Sequence, residues 1–311
     1  MRVARSVLSA FLSMALVVGM VPDCAYAKVA AQALHLGASQ ASPSGAGDAQ
    51  QASPDDGASS GEEADGDAEL QSAAPEEGFS YRQVSGGVEV TGYAGDATEL
   101  SIPEELGGSK VVSIANSALS GHTSLRSVEV PGSVGTLGAH SFDGCTSLAS
   151  VRLSEGVRRL GALAFAGCSS LASVELPASL ESTEGEAPWG AGPFEGSGLA
   201  SARLAPGSTR VAAGAFRGCT SLASVELPDT VTSVGPYAFA RCTSLPAALE
   251  VPAGVTSVGD SAYEDCAQAT SLSLPPTLSS VGTSAFARCS SLASVEVPGS
   301  VGTLGAHSFD G

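Results

Sequence analysis

Six cysteines recur at regular intervals, and thiols at a fixed spacing can form disulfides, bind metals or fill a core. Successive intervals are 23 or 24 residues, apart from one of 51 residues. The six are Cys145, Cys168, Cys219, Cys242, Cys266 and Cys289. The shared interval implies that each thiol occupies the same position in a repeated structural unit.

The repeated position allows three uses of these thiols. Disulfides 145–168, 219–242 and 266–289 are one, because equivalent atoms of adjacent repeats lie about 5 Å apart. However, His122 and Ser197 occupy the same position elsewhere, so a disulfide is not required there. One cysteine per repeat along a line gives no tetrahedral zinc cluster. We therefore favour free, buried thiols that act as small apolar side chains, and we predict no metal site.

A second recurring position carries charge. Between the two apolar residues of each predicted strand, the outward residue is usually Glu or Arg, and the first five alternate in sign. The residues are Glu129, Arg152, Glu175, Arg203, Glu226, Glu250, Ser273 and Glu296. Opposite charges on adjacent strands contribute about 0.2–1 kcal/mol per pair, whereas Glu226 and Glu250 repel each other. This charged stripe is either a solvated structural face or, with its flanking serines, a ligand-binding surface.

The single tryptophan is a further candidate binding residue. Trp189 lies in residues 184–193, within a segment that lengthens one repeat by six residues. Exposed aromatic side chains are frequent anchors of protein interfaces. The alternative is that Trp189 packs against the flank of the repeats.

The remaining residues give no pattern typical of catalysis. His35 precedes the repeats, His122 occupies a core position, and His140 and His307 are one position of a duplicated repeat. No nucleophile has a nearby candidate base, and neither a phosphate-binding loop nor a zinc-binding helix motif is present. The sequence therefore predicts a protein that is not an enzyme and binds no cofactor.

The elements that position these residues form repeats of about 23 residues. An aromatic or leucine precedes each cysteine position by three residues, at Leu119, Phe142, Phe165, Phe194, Phe216, Phe239, Tyr263, Phe286 and Phe309. In one repeat, Val225 and Leu227 alternate with polar residues as in a half-buried strand, and Val231 and Val234 form a shorter strand. Ala238, Phe239 and Cys242 have the spacing of one helical turn. The period predicts a β-rich solenoid of stacked parallel strands, one per turn, with short helical turns.

The segments before the repeats differ in composition. Residues 1–27 have a basic start, an apolar stretch and the small-residue cleavage motif Ala25-Tyr26-Ala27, which is typical of a signal peptide. Residues 28–78 hold ten acidic residues against one lysine, a net charge of −9, and predict a disordered linker. The chain carries a net charge of −18, which disfavours nucleic-acid binding. No second apolar run of spanning length follows, so we predict no membrane span in the mature chain.

The ordered part is expected to begin with a cap. Residues 79–111 predict two strands joined by a tight turn and then a first repeat-like strand, which would cover the end of the solenoid. Residues 112–311 form the predicted solenoid. Residues 127–144 recur identically at 294–311, where the sequence stops one residue before the next cysteine position. We therefore expect an incomplete last turn and a fragment of a longer array.

The repeat, C-[TS]-S-L-x-S-V-x-[LV]-P-x-x-[VL]-x-x-[VL]-G-x-x-[AS]-F-x-x-C, resembles that of BspA-type leucine-rich repeat proteins of bacterial surfaces. The resemblance covers residues 79–311 and includes the cap sequence VEVTGYAGDATELSIPEEL. It implies a secreted or cell-surface solenoid that binds host or neighbouring-cell surface and matrix proteins, without catalytic residues. The alternative function is a structural spacer within a longer surface protein, with no ligand of its own.

Overall fold

The computed structural model describes residues 78–183 and 190–311, which belong to one compact unit. The predicted signal peptide, residues 28–77 of the predicted linker and Trp189 lie outside the described residues.

The described residues form short strands joined by tight turns, and none of them is helical. The strands are β1 (Phe79–Val84), β2 (Gly87–Tyr93), β3 (Glu99–Ser101), β4 (Glu105–Leu106), β5 (Ser109–Ile114), β6 (Ser127–Val130), β7 (Thr136–Leu137), β8 (Ser150–Leu153), β9 (Arg159–Leu160), β10 (Ser173–Leu176), β11 (Ser182–Thr183), β12 (Ser201–Leu204), β13 (Arg210–Val211), β14 (Ser224–Glu226), β15 (Ser233–Val234), β16 (Ala248–Glu250), β17 (Ser257–Val258), β18 (Ser271–Ser273), β19 (Ser280–Val281) and β20 (Thr303–Leu304).

Most repeats contribute one longer and one shorter strand, and each pairs in parallel with the equivalent strand of a neighbouring repeat. The main sheet has the order β14-β12-β10-β8-β6-β3. The second sheet runs β1-β2-β5-β7-β9-β11 and resumes after a break as β13-β15-β17-β19-β20. Equivalent residues of successive repeats pair directly, as Val128 does with Val151. The predicted solenoid of stacked parallel strands is thus confirmed, with a shorter strand in addition to the main one in most turns.

The N-terminal end of the solenoid is a pair of β-hairpins. Strands β1 and β2 are antiparallel and joined at Ser85 and Gly86, and β4 and β5 form a second antiparallel pair. Strand β2 pairs in parallel with β5, which in turn pairs with β7. Val88 and Val90 of β2 are fully buried. The hairpins therefore place apolar side chains against the first turn of the solenoid.

The third side of each repeat consists of tight turns where the sequence predicted a helical turn. Tyr237 and Arg241 have left-handed φ values of 56° and 63°, which end any helix. The amide of Cys242 donates to the carbonyl of Phe239 in the same repeat (3.1 Å), whereas the amide of Phe239 donates to Ala262 of the next repeat (2.8 Å). Alternate amides thus bond across repeats, which a helix would not allow because its amides bond within it.

Stacked aromatic rings form the centre of the core. The rings of Phe142 and Phe165 lie 5.3 Å apart at 4°, and those of Phe165 and Phe194 lie 5.1 Å apart at 8°. A second stack joins Phe216, Phe239, Tyr263, Phe286 and Phe309 at centroid distances of 5.0–5.5 Å. Among the described residues, no ring stacking joins Phe194 to Phe216, so the column is divided there.

The division coincides with the inserted segment, at a boundary that we call the insertion junction, between residues 176–183 and 204–213. The main sheet crosses it intact, because β10 pairs with β12 along four residues. The second sheet does not cross it, since β11 and β13 belong to separate sheets. At other boundaries, an amide just before the shorter strand donates to a carbonyl of the preceding repeat. The amide of Glu181 donates to the Arg158 carbonyl and that of Thr232 to the Thr209 carbonyl, both at 2.9 Å. Within the described part of the chain, the Thr209 amide makes no such bond to the preceding repeat.

Candidate binding surface

The charged stripe lies on the outward face of the main sheet, in the predicted register. Glu129 pairs with Arg152, Arg152 with Glu175, and Glu175 with Arg203 across adjacent strands. Arg203 also pairs with Glu226 of β14. The parallel register of the main sheet therefore brings these five residues, which alternate in charge, into one line.

Side-chain contacts along the stripe are uneven. Arg152 forms an ion pair with Glu129. Arg203 is exposed, and within residues 78–183 and 190–311 it makes no ion pair with Glu175 or Glu226. One end of the stripe is thus internally neutralised, whereas the Arg203 end keeps its charges available to a ligand.

A shallow groove of about 350 Å³ lies on this same face. Its polar lining includes Ser150, Ser173, Ser201, Ser224, Glu175, Arg203 and Glu226. The serine hydroxyls can each donate and accept a hydrogen bond. The groove therefore offers charged groups of both signs beside one row of serine hydroxyls.

The stripe is interrupted after Glu226. The main sheet ends at β14, and β16 and β18 form a separate pair in which Glu250 lies opposite Ser273. Glu296 lies beyond an isolated bridge between Leu272 and Val295. The like charges of Glu226 and Glu250 face this discontinuity, where paired like charges would destabilise a ladder. Glu250 and Glu296 are thus not continuous with the groove.

The six cysteines of the repeats are free and buried, which confirms the favoured interpretation. Each thiol other than that of Cys219 donates to a carbonyl of the preceding repeat, as Cys145 Sγ does to Leu119 (3.2 Å) and Cys242 Sγ to Phe216 (3.0 Å). Ser197 and His122 bond a carbonyl within their own repeat instead. Ser197 Oγ donates to the Phe194 carbonyl at 2.6 Å, and His122 Nδ1 contacts the Leu119 carbonyl at 3.0 Å. In all of these repeats but that of Cys219, the side chain at this position bonds a backbone carbonyl, which the sequence pattern did not reveal.

Burial makes these thiols weak acids. It raises the pKa of Cys145 from 9.0 to about 11 and that of Cys168 to about 12, and it raises the others in the same direction. The thiolate is the nucleophilic form of cysteine. At neutral pH the described cysteines are therefore protonated core residues.

We expect the free energy of unfolding to fall above pH 9, where unfolded thiols ionise and folded ones do not. The contribution of each raised pKa is complete below pH 9 and is lost as the pH approaches the folded-state value. At pH 10 the loss is about 1.4 kcal/mol per thiol. Urea unfolding in reductant at pH 7 and pH 10 measures it. Cys145→Ala should lose about 1.4 kcal/mol less between these pH values, and an unchanged pH dependence would refute the assignment.

The other candidate groups do not converge on a reaction site. His140 Nδ1 contacts Asp143 at 2.9 Å within a surface turn, and His122 Nε2 contacts the Tyr93 carbonyl at 2.9 Å. Among the described residues, no three His, Cys, Asp or Glu side chains are grouped as metal ligands. Over the same residues, no helix has the length and hydropathy needed to cross a bilayer.

Sequence reasoning missed a second concave region at the insertion junction. It is lined by Arg158, Ser208 and Arg210, among others. The available signal was Ser208, which stands where other repeats have Val or Leu.

The fold and the repeat define a protein built from leucine-rich repeats. The family model for the BspA type leucine rich repeat region matches residues 94–187 and 189–311, with six copies. The chain belongs to this family.

The solved structures that are similar to this chain include several bacterial leucine-rich repeat proteins. A protein from Bacteroides ovatus is 24% identical over 74% of this chain and 60% of its own, with a TM-score of 0.55. The T. pallidum leucine rich repeat protein is 30% identical over 70% of this chain and 90% of its own, with a TM-score of 0.48. A leucine rich cell surface protein from Faecalibacterium prausnitzii is 21% identical over 75% of this chain and 78% of its own, with a TM-score of 0.38.

The chain spans about 60% of the length of the Bacteroides ovatus protein. A comparison with curated proteins found no match.

Proposed function

We propose that the chain is a secreted or cell-surface module that binds host or neighbouring-cell surface and matrix proteins through the main sheet, without catalysis. The observation that carries this proposal is the groove beside Arg203, where exposed charges of both signs stand in register. The family membership supports a binding scaffold, because solenoids present extended surfaces made from successive repeats. The signal-peptide pattern in residues 1–27 supports the extracellular setting.

The geometry favours a partner that carries both charges and hydrogen-bonding groups. Arg203 can make bidentate hydrogen bonds to a carboxylate of the partner. Glu175 and Glu226, on either side, can accept from Lys or Arg side chains. Because this surface is exposed to solvent, ions screen such contacts, and binding should weaken as salt concentration rises.

Charge reversal along the stripe should impair binding. We expect Arg152→Glu/Arg203→Glu to weaken binding of the fluorescently labelled full chain to cultured epithelial cells at least about fivefold, since rim charges govern electrostatic association. Binding of the unsubstituted chain should also fall between about 50 and 300 mM NaCl. Arg159→Glu/Arg241→Glu is the control, because it changes net charge equally at exposed residues outside the stripe.

The spacer function makes the opposite prediction. A chain that only separates other modules should bind cells weakly, and neither double variant should change that binding. Equal losses in both double variants would attribute binding to net charge and would also reject the stripe as the site.

A further inference from the structure

A cavity of about 350 Å³ lies at the insertion junction, away from the charged stripe. Its lining is Arg158, Leu176, Pro177, Ala178, Ser179, Leu180, Glu181, Leu204, Ser208, Thr209, Arg210 and Ala212. The volume falls within the range of small-molecule sites, about 300–1,000 Å³. Two arginines and several hydroxyls border it, so the cavity is polar at its rim and apolar at its floor.

The cavity arises partly from a serine in an aliphatic core position. The amide of Ser208 donates to Ala205 (3.1 Å) as that of Val231 donates to Pro228 (3.0 Å), which makes the two positions equivalent. Six other repeats bury an aliphatic side chain there, namely Val134, Val157, Leu180, Val231, Val255 and Leu278. Ser208 is only 3% exposed, and its Oγ has no hydrogen-bond partner among the described residues. A buried unsatisfied hydroxyl costs about 1–3 kcal/mol, so packing alone does not explain it.

A second residue at the junction also departs from the repeat pattern. A Cβ at Gly161 would lie 2.3 Å from the Ala139 nitrogen, and one at Gly235 would lie 2.7 Å from the Ala213 nitrogen. Ala212 occupies the equivalent place after β13 and is one of the residues that line the cavity. The cavity beside Ser208 thus lies where β11 and β13 do not pair and where Ala212 replaces the glycine of other repeats.

The polar groups at the cavity are not equally available. Glu181 accepts from Arg158 at 2.6 Å, and Ser179 Oγ donates to the Val157 carbonyl at 2.9 Å. Arg210 is exposed and forms no ion pair within the described part of the chain. The groups left to a ligand are therefore the Arg210 guanidinium, the Ser208 hydroxyl and the Thr209 amide.

We propose that this cavity binds a small hydroxylated carboxylate of the sugar-acid class. Arg210 binds the carboxylate, since its guanidinium forms two parallel hydrogen bonds to such a group. Ser208 bonds a ligand hydroxyl, which satisfies its buried oxygen. Leu176 and Leu204 contact the C–H face of the ligand. A free sugar acid and the terminal residue of a glycan share this chemistry.

The test uses the full chain and isothermal titration calorimetry. D-Glucuronate is the probe, D-glucose tests the need for the carboxylate, and acetate tests the need for the hydroxyls. We expect D-glucuronate to bind at least about tenfold more tightly than either. Arg210→Gln and Ser208→Val should each weaken glucuronate binding at least about tenfold, whereas Arg203→Gln on the main sheet should not change it.

Several outcomes would overturn the proposal. Absence of glucuronate binding at about 10 mM would show the cavity to be a packing defect. Equal binding of acetate would show a nonspecific anion site. Because Ser208→Val alters the core, circular dichroism checks its fold, and Arg210→Gln tests the site independently at the surface. Binding of an oligosaccharide that ends in glucuronate identifies a glycan as the source, and binding of free glucuronate alone identifies the free acid.

Discussion

Gly161→Ala is expected to lower the free energy of unfolding by about 3 kcal/mol or more. The added Cβ would lie 2.3 Å from the Ala139 nitrogen and 2.4 Å from the Gly138 carbonyl carbon. Both contacts are with backbone atoms of the preceding repeat. The amide of Gly161 donates to the Leu137 carbonyl of that repeat at 2.8 Å, so moving the two backbones apart would break this hydrogen bond. Urea unfolding followed by circular dichroism measures the loss.

Gly299→Ala is the matched control for Gly161→Ala. No atom lies within 4 Å of a Cβ built there, and the residue lacks a left-handed φ. Its effect should therefore stay within about 0.5 kcal/mol. If Gly161→Ala were equally mild, adjacent repeats could not be as close as the structure has them.

Phe165→Ala should destabilise the chain by about 3–5 kcal/mol, the usual cost of truncating a buried phenylalanine. Phe165 is fully buried and its ring stacks on both neighbours, Phe142 at 5.3 Å and Phe194 at 5.1 Å. The truncation leaves a cavity and removes both ring contacts. Urea unfolding gives the change directly.

Phe309→Ala serves as the comparison. Its ring is partly buried and stacks only on Phe286, at 5.4 Å. We expect a loss of about 1–2 kcal/mol, since less area is buried. Equal losses at Phe165 and Phe309 would be inconsistent with a core that is continuous through the interior repeats.

The repeat period was enough to predict the solenoid and the register of the stripe. Each strand alternates two inward apolar residues with one outward residue, so a fixed interval brings Glu175 beside Arg203 without further information. The aromatic column followed for the same reason. Periodicity determines which residues become neighbours, and those neighbours are observed.

Other features depend on hydrogen bonds and rotamers that spacing does not encode. The spacing of Ala238, Phe239 and Cys242 fits a helical turn, yet cross-repeat bonds and the left-handed Tyr237 give tight turns instead. Likewise, the strand register places Arg203 between Glu175 and Glu226, but it does not determine whether the side chain of Arg203 forms an ion pair with either glutamate. Ser208 differs from the Val or Leu that the other repeats have at its position, and a pattern that describes the typical repeat does not include such an exception.

The stripe and the junction cavity both depend on adjacent repeats that lie in register, and cross-linking tests this most directly. Equivalent residues of neighbouring strands lie about 5 Å apart and can form a disulfide, whereas residues two strands apart, about 10 Å, cannot. Under mild oxidation, Glu175→Cys/Arg203→Cys should therefore cross-link within the chain, and Glu129→Cys/Glu175→Cys should remain reduced. A reduced first pair, or equal cross-linking of both, would contradict the account.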